Sequence, residues 1–422
     1  MRAGRVQGQE TAGTEAVMEA SPDRMRDAEF RQRGLPGFRL PGDEGPIWSN
    51  RKYSMKNENR LVIEKSYAIR PESNGMTVYD KKKHKFFFFE GLTAEDVHRE
   101  VPALDCAGFT AFMKAHEDCM TVNIRTDRPL YIGWQLSAEC NLDCIYCFAD
   151  TTLHQGNTTD IADAAKSILA LEPVCVGLSG GEPTLNHKLP EIMELFKDRV
   201  DCILNTNGTT PLLQHIVPQL KETGTLVRIS IDSTINSVQN ALRPVKGNRD
   251  LDFDQMRLIR RSVEMLLDAE IPLEIHTVVS TRNMNSLEQT AEDLIAMGVR
   301  RWHLYRMDPS PKCADIYESI RVDHKEIAVC HRKLLEKYGG KLDITAAADV
   351  RTGSRERAIL LIDSNGRFMV KGKNQAVIYV GRDPKAPTKE ELAETMDFEV
   401  HKRCYYMNYV YQACTEKTAS TR

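Results

Sequence analysis

Three cysteines, Cys140, Cys144 and Cys147, stand in a CxxxCxxC spacing on one short stretch of chain. Soft thiolates presented from one segment suit an iron-sulfur cluster, and three ligands for four irons leave one iron open to a small chelating molecule. The plainer readings are three core cysteines or part of a zinc site. Zinc takes four N or S ligands, often as paired CxxC units, and Cys144 and Cys147 have no second such pair in the chain. Downstream, Leu178-Ser179-Gly180-Gly181-Glu182-Pro183-Thr184 joins two glycines, which permit close backbone approach, to a carboxylate able to balance an ammonium. Taken alone, that stretch also reads as a surface turn. Asn205-Thr206-Asn207-Gly208 and Ser230-Ile231-Asp232-Ser233 each close an apolar run with polar side chains. Arg243 offers a planar fork suited to a carboxylate, or is an ordinary surface arginine.

These residues need elements to hold them, and the texture beyond Leu130 supplies them. Apolar runs at Leu130 to Leu136, Val174 to Leu178, Cys202 to Leu204, Val227 to Ile231, Leu273 to Val279 and Trp302 to Tyr305 predict six strands. Helical patterns lie between them at Ile161 to Leu171, Leu189 to Phe196, Leu212 to Leu220, Phe253 to Leu267 and Leu287 to Met297, with a sixth at His324 to Tyr338. Strand and helix alternation predicts an α/β fold with a parallel sheet, a partial (β/α)6 barrel rather than a full eight-stranded one. Every motif above sits at the carboxyl end of one of these strands, where such sheets place their sites.

Ahead of the barrel, Tyr67 to Ile69, Met76 to Tyr79 and Phe86 to Phe89 read as short strands, and Thr93 caps a following helix. They predict a small α+β module over 61–125, preceded by a disordered or extended segment over 1–60, whose Gly, Pro, Arg and acidic residues show little periodicity. The barrel is expected over 126–312 and a C-terminal α+β extension over 313–422. Within that extension, Ala358 to Ile362 and Arg367 to Val370 form a hairpin around Asp363-Ser364-Asn365-Gly366.

With 422 residues, 41% hydrophobic content and a formal net charge of -3, the chain can build ordinary globular cores and has no overall basic field for nucleic acid. It contains no apolar run of about 18 residues to span a bilayer and no secretory segment, which predicts a cytoplasmic protein with no membrane partner. Its 11 cysteines then read as ligands or core thiols rather than disulfides.

The stretch Leu130 to Pro309, through Cys140 to Cys147 and Gly180 to Pro183, resembles the radical S-adenosylmethionine (SAM) superfamily. That resemblance implies a [4Fe-4S] cluster on Cys140, Cys144 and Cys147 and SAM chelated at the open iron, cleaved reductively to a 5′-deoxyadenosyl radical. It implies that Tyr146 packs near the adenine and that Gly180, Gly181, Glu182 and Pro183 receive the methionine amino group. Asn207, Ser230, Asp232 and Arg243 would meet the ribose and carboxylate, and Val278 to Ser280 and Asn283 would border the adenine. An electron donor such as flavodoxin or ferredoxin is expected as a partner.

The module at 61–125 is similar to the winged-helix recognition element of enzymes that mature ribosomally made peptides, implying a precursor-peptide leader as partner, bound as an added strand. Phe86 to Phe89 would be a strand buried on both faces, an exposed gripping edge, or packing against the barrel. The expected reaction is hydrogen abstraction from such a peptide, giving a cross-link, an epimerised residue or a backbone change. The alternative is a dehydrogenase or isomerase for a small molecule. Cys313 and Cys404 are candidate hydrogen donors to a substrate radical, or else buried small hydrophobes. Together with Cys330 and Cys414 they lack the spacing for two auxiliary clusters, although four scattered thiols could converge on one.

Overall fold

The computed structural model describes residues 60–64, 66–149, 161–248, 250–347, 356–373, 376–381 and 386–405. The expectations for 1–59 and for Cys414 lie outside them. All described residues fall in one compact unit, Lys56–Arg422, so module, barrel and extension are not separate bodies.

The module is a four-stranded antiparallel sheet in the order β1 (Leu61–Ile63), β2 (Tyr67–Glu72), β3 (Gly75–Asp80), β4 (Lys85–Glu90). Two helices follow, Ala94–Glu100 and Cys106–Ala115. Thr93 caps the first in a reciprocal box with Asp96, and the Asp105 side chain caps the second. The strand period of two sorts β4: Phe87 and Phe89 pack with Val97, Phe109 and Phe112 under the helices, while Phe86 and Phe88 turn to the barrel. All four rings are buried, so this strand is a wall shared by two cores. Its outer edge is partly closed where Phe89 bridges Met120 and Thr121 donates to the Phe88 carbonyl.

The second sheet has ten strands. Parallel strands β5 (Tyr131–Gln135), β6 (Cys175–Ser179), β7 (Asp201–Thr206), β8 (Leu226–Ser230), β9 (Leu273–Val279), β10 (Arg301–Arg306) and β11 (Asp343–Ala346) follow one another, with helices at Ile161–Ala170, Leu189–Phe196, Gln255–Asp268, Leu287–Ala296 and His324–Tyr338 between them. The expected helix at Leu212 to Leu220 is broken into Leu212–His215 and Val217–Thr223, with Pro218 opening the second piece. β12 (Leu360–Ile362) adds parallel to β5 on the far side, and β13 (Phe368–Lys371) and β14 (Val377–Tyr379) extend it antiparallel. The six expected strands are thus β5 to β10, and the hairpin contributes an eighth parallel strand. The sheet curls: Tyr131 on β5 and Tyr305 on β10, five strands apart in the order, sense each other's charge.

Alternate strand residues separate outside from inside. Outward positions such as Ile132, Val176, Leu178, Leu204, Val227, Ile229, Ile275, Trp302 and Leu304 form the main core with the helices. The inward floor of Leu130, Cys175, Ile203 and Leu226 is covered by Tyr79, Phe86 and Phe88 of the module. Tyr405, from the last described helix, joins the same cluster. Two buried residues fasten that helix: His401 Nε2 accepts from the Leu130 amide at 2.8 Å while its Nδ1 meets the Ala358 carbonyl at 2.5 Å, and Lys402 Nζ donates to the Ile124 carbonyl at 2.6 Å. No described helix is long and apolar enough to cross a membrane. The described cysteines are all free thiols.

Candidate functional site

The loop leaving β5 carries the three thiols and is stitched on both sides. On one side Gly181 N donates to Ser137 O at 2.6 Å and Glu182 N to Glu139 O at 2.7 Å. A Cβ at Gly181 would lie 2.0 Å from Glu139 O, and one at Gly180, where φ is +149°, 2.6 Å from Ser137 O. The glycine pair therefore admits the thiol loop itself, backbone against backbone. On the other side Asp143 N donates to Pro244 O at 2.8 Å, Ile145 N to Leu242 O at 3.0 Å and Lys246 N to Asn141 O at 2.9 Å. This second seam brings Arg243 to the thiols, with Nη1 donating to Cys144 Sγ at 3.9 Å.

Behind the loop lies a charged knot. Asp232, fully buried, accepts from the Tyr146 hydroxyl and from Arg243 Nε at 2.9 Å on one oxygen, and from Val278 N at 3.0 Å on the other. The Arg243 guanidinium also lies 5.5 Å from the centre of the Tyr146 ring. Burial works against its charge, but Asp232 and its neighbours hold it firmly protonated. Burial pushes the Cys144 thiol up to about 12, opposed chiefly by Arg243, and also raises Cys140. Each of those two thiols senses Cys147, which places the three within electrostatic reach of one another.

Several expectations change at this level. Glu182 is 1% exposed and accepts from Thr184 N at 3.0 Å, Thr184 Oγ1 at 2.5 Å, Thr206 Oγ1 at 2.6 Å and Asn207 N at 2.8 Å. Three of these donors fall on Oε1 and only Asn207 N on Oε2, so Glu182 clamps the end of β6 to β7 and keeps acceptor capacity on Oε2. Asn207 ties the same corner to the thiol loop, Nδ2 donating to Asn141 Oδ1 at 2.8 Å. Asn283 likewise bridges the ends of β8 and β9, donating to the Asp232 carbonyl at 2.9 Å and the Val278 carbonyl at 3.0 Å. Pro183 is buried at the start of a short turn.

Cys313 is fully buried, its sulfur accepting from Ser310 N and Oγ at 3.3 Å each, in a small apolar cluster that includes Tyr146. Cys404 is a correction. It precedes Tyr405, which packs on Phe86 and Tyr131 at the amino end of the barrel, whereas the thiol loop leaves the carboxyl end. The chain passes Leu130 at one end and Cys140 at the other, so the structure does not bring Cys404 to the site.

Thr184, Thr206 and Asn141 lie within the sequence motifs but had no role of their own there, and Gln239 lies outside them; its Oε1 accepts from Asp232 N at 2.9 Å and Ser233 N at 3.1 Å. Reading the strand interiors as plain core also misses the inward row of Arg228, Glu274, His276, His303 and Tyr305. The alternation of polar residues within β8 to β10 was the available signal.

A curled parallel sheet with a three-thiol loop at its carboxyl end and a buried Asp-Arg-Tyr knot beneath it defines an α/β barrel domain built to hold a soft metal group. Residues 134–294 match the model of the radical SAM superfamily. The AdoMet-dependent heme synthase of Methanosarcina barkeri is 28% identical over 48% of this chain and 57% of its own length. The mycofactocin maturase MftC of Mycolicibacterium smegmatis is 25% identical over 46% of this chain and 48% of its own. The chain thus spans about half the length of these curated relatives. Solved structures of Streptococcus suis SuiB, bound to S-adenosylmethionine or to precursor peptide SuiA, share the fold with a TM-score of 0.55. They cover 81% of this chain and 89% of SuiB, at 12% and 14% identity.

The superfamily implies a [4Fe-4S] cluster and SAM, and the donor set fits them. Three thiols leave one loop, each on its own turn of backbone, beside a fixed cation that can offset thiolate charge. Among the described residues no group of three or more His, Cys, Asp or Glu converges on a single metal ion.

Proposed function

We propose that this protein is a radical SAM enzyme, holding a [4Fe-4S] cluster on Cys140, Cys144 and Cys147 and abstracting hydrogen from a ribosomally made precursor peptide. The observation that carries the first part is the thiol loop wired through Arg243 to the buried Asp232, within the matched domain. When bound, cluster and SAM would supply a carbon-centred radical able to take hydrogen from an unactivated carbon. The residues' own work is placement: Gly180, Gly181 and Glu182 lock the loop, and Asp232 orients Arg243 and Tyr146. The likeness to MftC and to the SuiB fold, together with the module at 61–125, supports a peptide substrate and a leader held near that module.

A small-molecule substrate is the second reading, favoured by the heme synthase relatives. Anaerobic reconstitution should give about four irons per chain, and cleavage of SAM under a strong reductant. Cys144→Ala should lose both, and retained cleavage would sink the ligand assignment. Mass spectrometry of a co-expressed candidate peptide then separates the two substrates. A loss of hydrogens or deuterium uptake supports the peptide, and an unaltered peptide with active SAM cleavage supports the small molecule.

A further inference from the structure

Inside the barrel, below the thiol loop, the inward residues Tyr131, Asn205, Arg228, Ser230, His276 and Tyr305 are each partly accessible, although the floor beneath them is sealed. Two glycines in the wall give their space to neighbouring side chains, Tyr131 over Gly177 and Leu361 over Gly133. Gly133 and Gly177 are neighbours across β5 and β6, and a Cβ at Gly177 would lie 1.7 Å from the Tyr131 hydroxyl, which leans across that strand beside Asn205. In the wall opposite, Arg228 is held by its Nε alone, which donates to Glu274 Oε2 at 2.8 Å. His276 Nε2 meets the same oxygen at 3.0 Å and steadies it. No described residue accepts a hydrogen bond from either terminal nitrogen of Arg228, although its side chain is only 11% exposed. Tyr131, Tyr305 and Tyr79 surround the guanidinium.

A guanidinium presents two forked edges to carboxylates. Glu274 occupies the Nε side and leaves the end-on edge of two N–H groups open within a largely desolvated chamber. We propose that Arg228 is a substrate-binding residue that receives a carboxylate, so that the molecule entering this barrel is a carboxylate-bearing one. At a strand rise of about 3.3 Å per residue and a barrel tilt of about 36°, Arg228 lies roughly 10 Å deeper than Asp232. The carboxylate is therefore a deep anchor, and the carbon that reacts lies several bonds away from it. The inference rests on this barrel being the radical SAM site proposed above, and it deepens that reading by naming the substrate class.

Fluorine NMR of cluster-loaded protein, without reductant, tests it with fluorobenzoate and fluorobenzamide as probes and inorganic phosphate as an unlabelled competitor, whose own binding is read by phosphorus NMR. Fluorobenzoate should broaden saturably and fluorobenzamide should not. Arg228→Gln should weaken fluorobenzoate by about tenfold or more, the scale of a lost hydrogen bond to a charged group. Because that variant strands Glu274, the double variant R228M/E274M removes both charges and should weaken it as much in a protein with wild-type iron content and circular dichroism. Equal response to acid and amide, full binding by the double variant, or binding of phosphate alone would each overturn the proposal. The measurement needs no turnover, so its failure is separate from a failure to cleave SAM.

Discussion

Asp232 is the residue on which most of the site converges, taking Tyr146, Arg243 and Val278 at once with no exposed surface. Breaking a buried ion pair from one side leaves the other charge stranded, at a cost of about 3–5 kcal/mol. Asp232→Asn should therefore lower stability by several kcal/mol in urea titrations and loosen SAM binding to cluster-loaded protein. Arg243→Gln should do the same, and the double variant should lose far less than the two singles combined, since both remove one interaction. Additive losses would show that the residues work apart. At this scale the sequence was legible where a motif names a ligand, as with Cys140, Cys144 and Cys147. It was less so where one residue type serves two ends. Glu182 reads identically whether it only faces an ammonium or, as here, also clamps two strand ends through protein donors.

Among the elements, β4 is the one that joins the module to the barrel, because its four phenylalanines divide between two cores. Phe86→Ala and Phe87→Ala should each cost about 3–5 kcal/mol, yet differ in what they loosen. Hydrogen exchange should speed up around Tyr131 and Tyr405 in the first, and along Cys106–Ala115 in the second. Identical exchange maps would mean that the strand is not a shared wall. The same packing makes residues 60–125 a poor fragment for leader-binding tests, since two of those rings would meet water. Periodic helices such as Leu189–Phe196 and His324–Tyr338 could be read to the residue, because amphipathic spacing marks both and Asp323 caps the second. The short strands β11 and β14 could not, since three or four residues carry too little pattern against propensity.

Across the whole molecule, buried imidazoles set an acid limit. Burial, followed by the Arg228 charge for His276, lowers both His276 and His401 to about 4 from an ordinary 6.5. Both are neutral when folded, so the unfolded chain binds more protons as pH falls. Their contribution is complete above about 6.5 and drains away toward pH 4, at roughly 1 kcal/mol each by pH 5.5. Urea midpoints measured from pH 7.5 to 5.5 should fall accordingly, and less steeply in His401→Asn; parallel slopes would contradict this. The overall architecture was readable from alternating strands and helices, whereas the contents of the barrel interior were not, because inward polar residues on mostly apolar strands look like noise until the sheet curls.

The sealed floor has a kinetic meaning. Tyr79, Phe86, Phe88 and Tyr405 close one end of the barrel, leaving a blind passage with its mouth on the thiol side. Two molecules using such a passage cannot pass each other, so whichever sits deeper must arrive first and depart last. With a carboxylate anchored at Arg228, productive binding would be ordered with SAM as the second arrival, and SAM arriving first would block the passage, so excess SAM should inhibit.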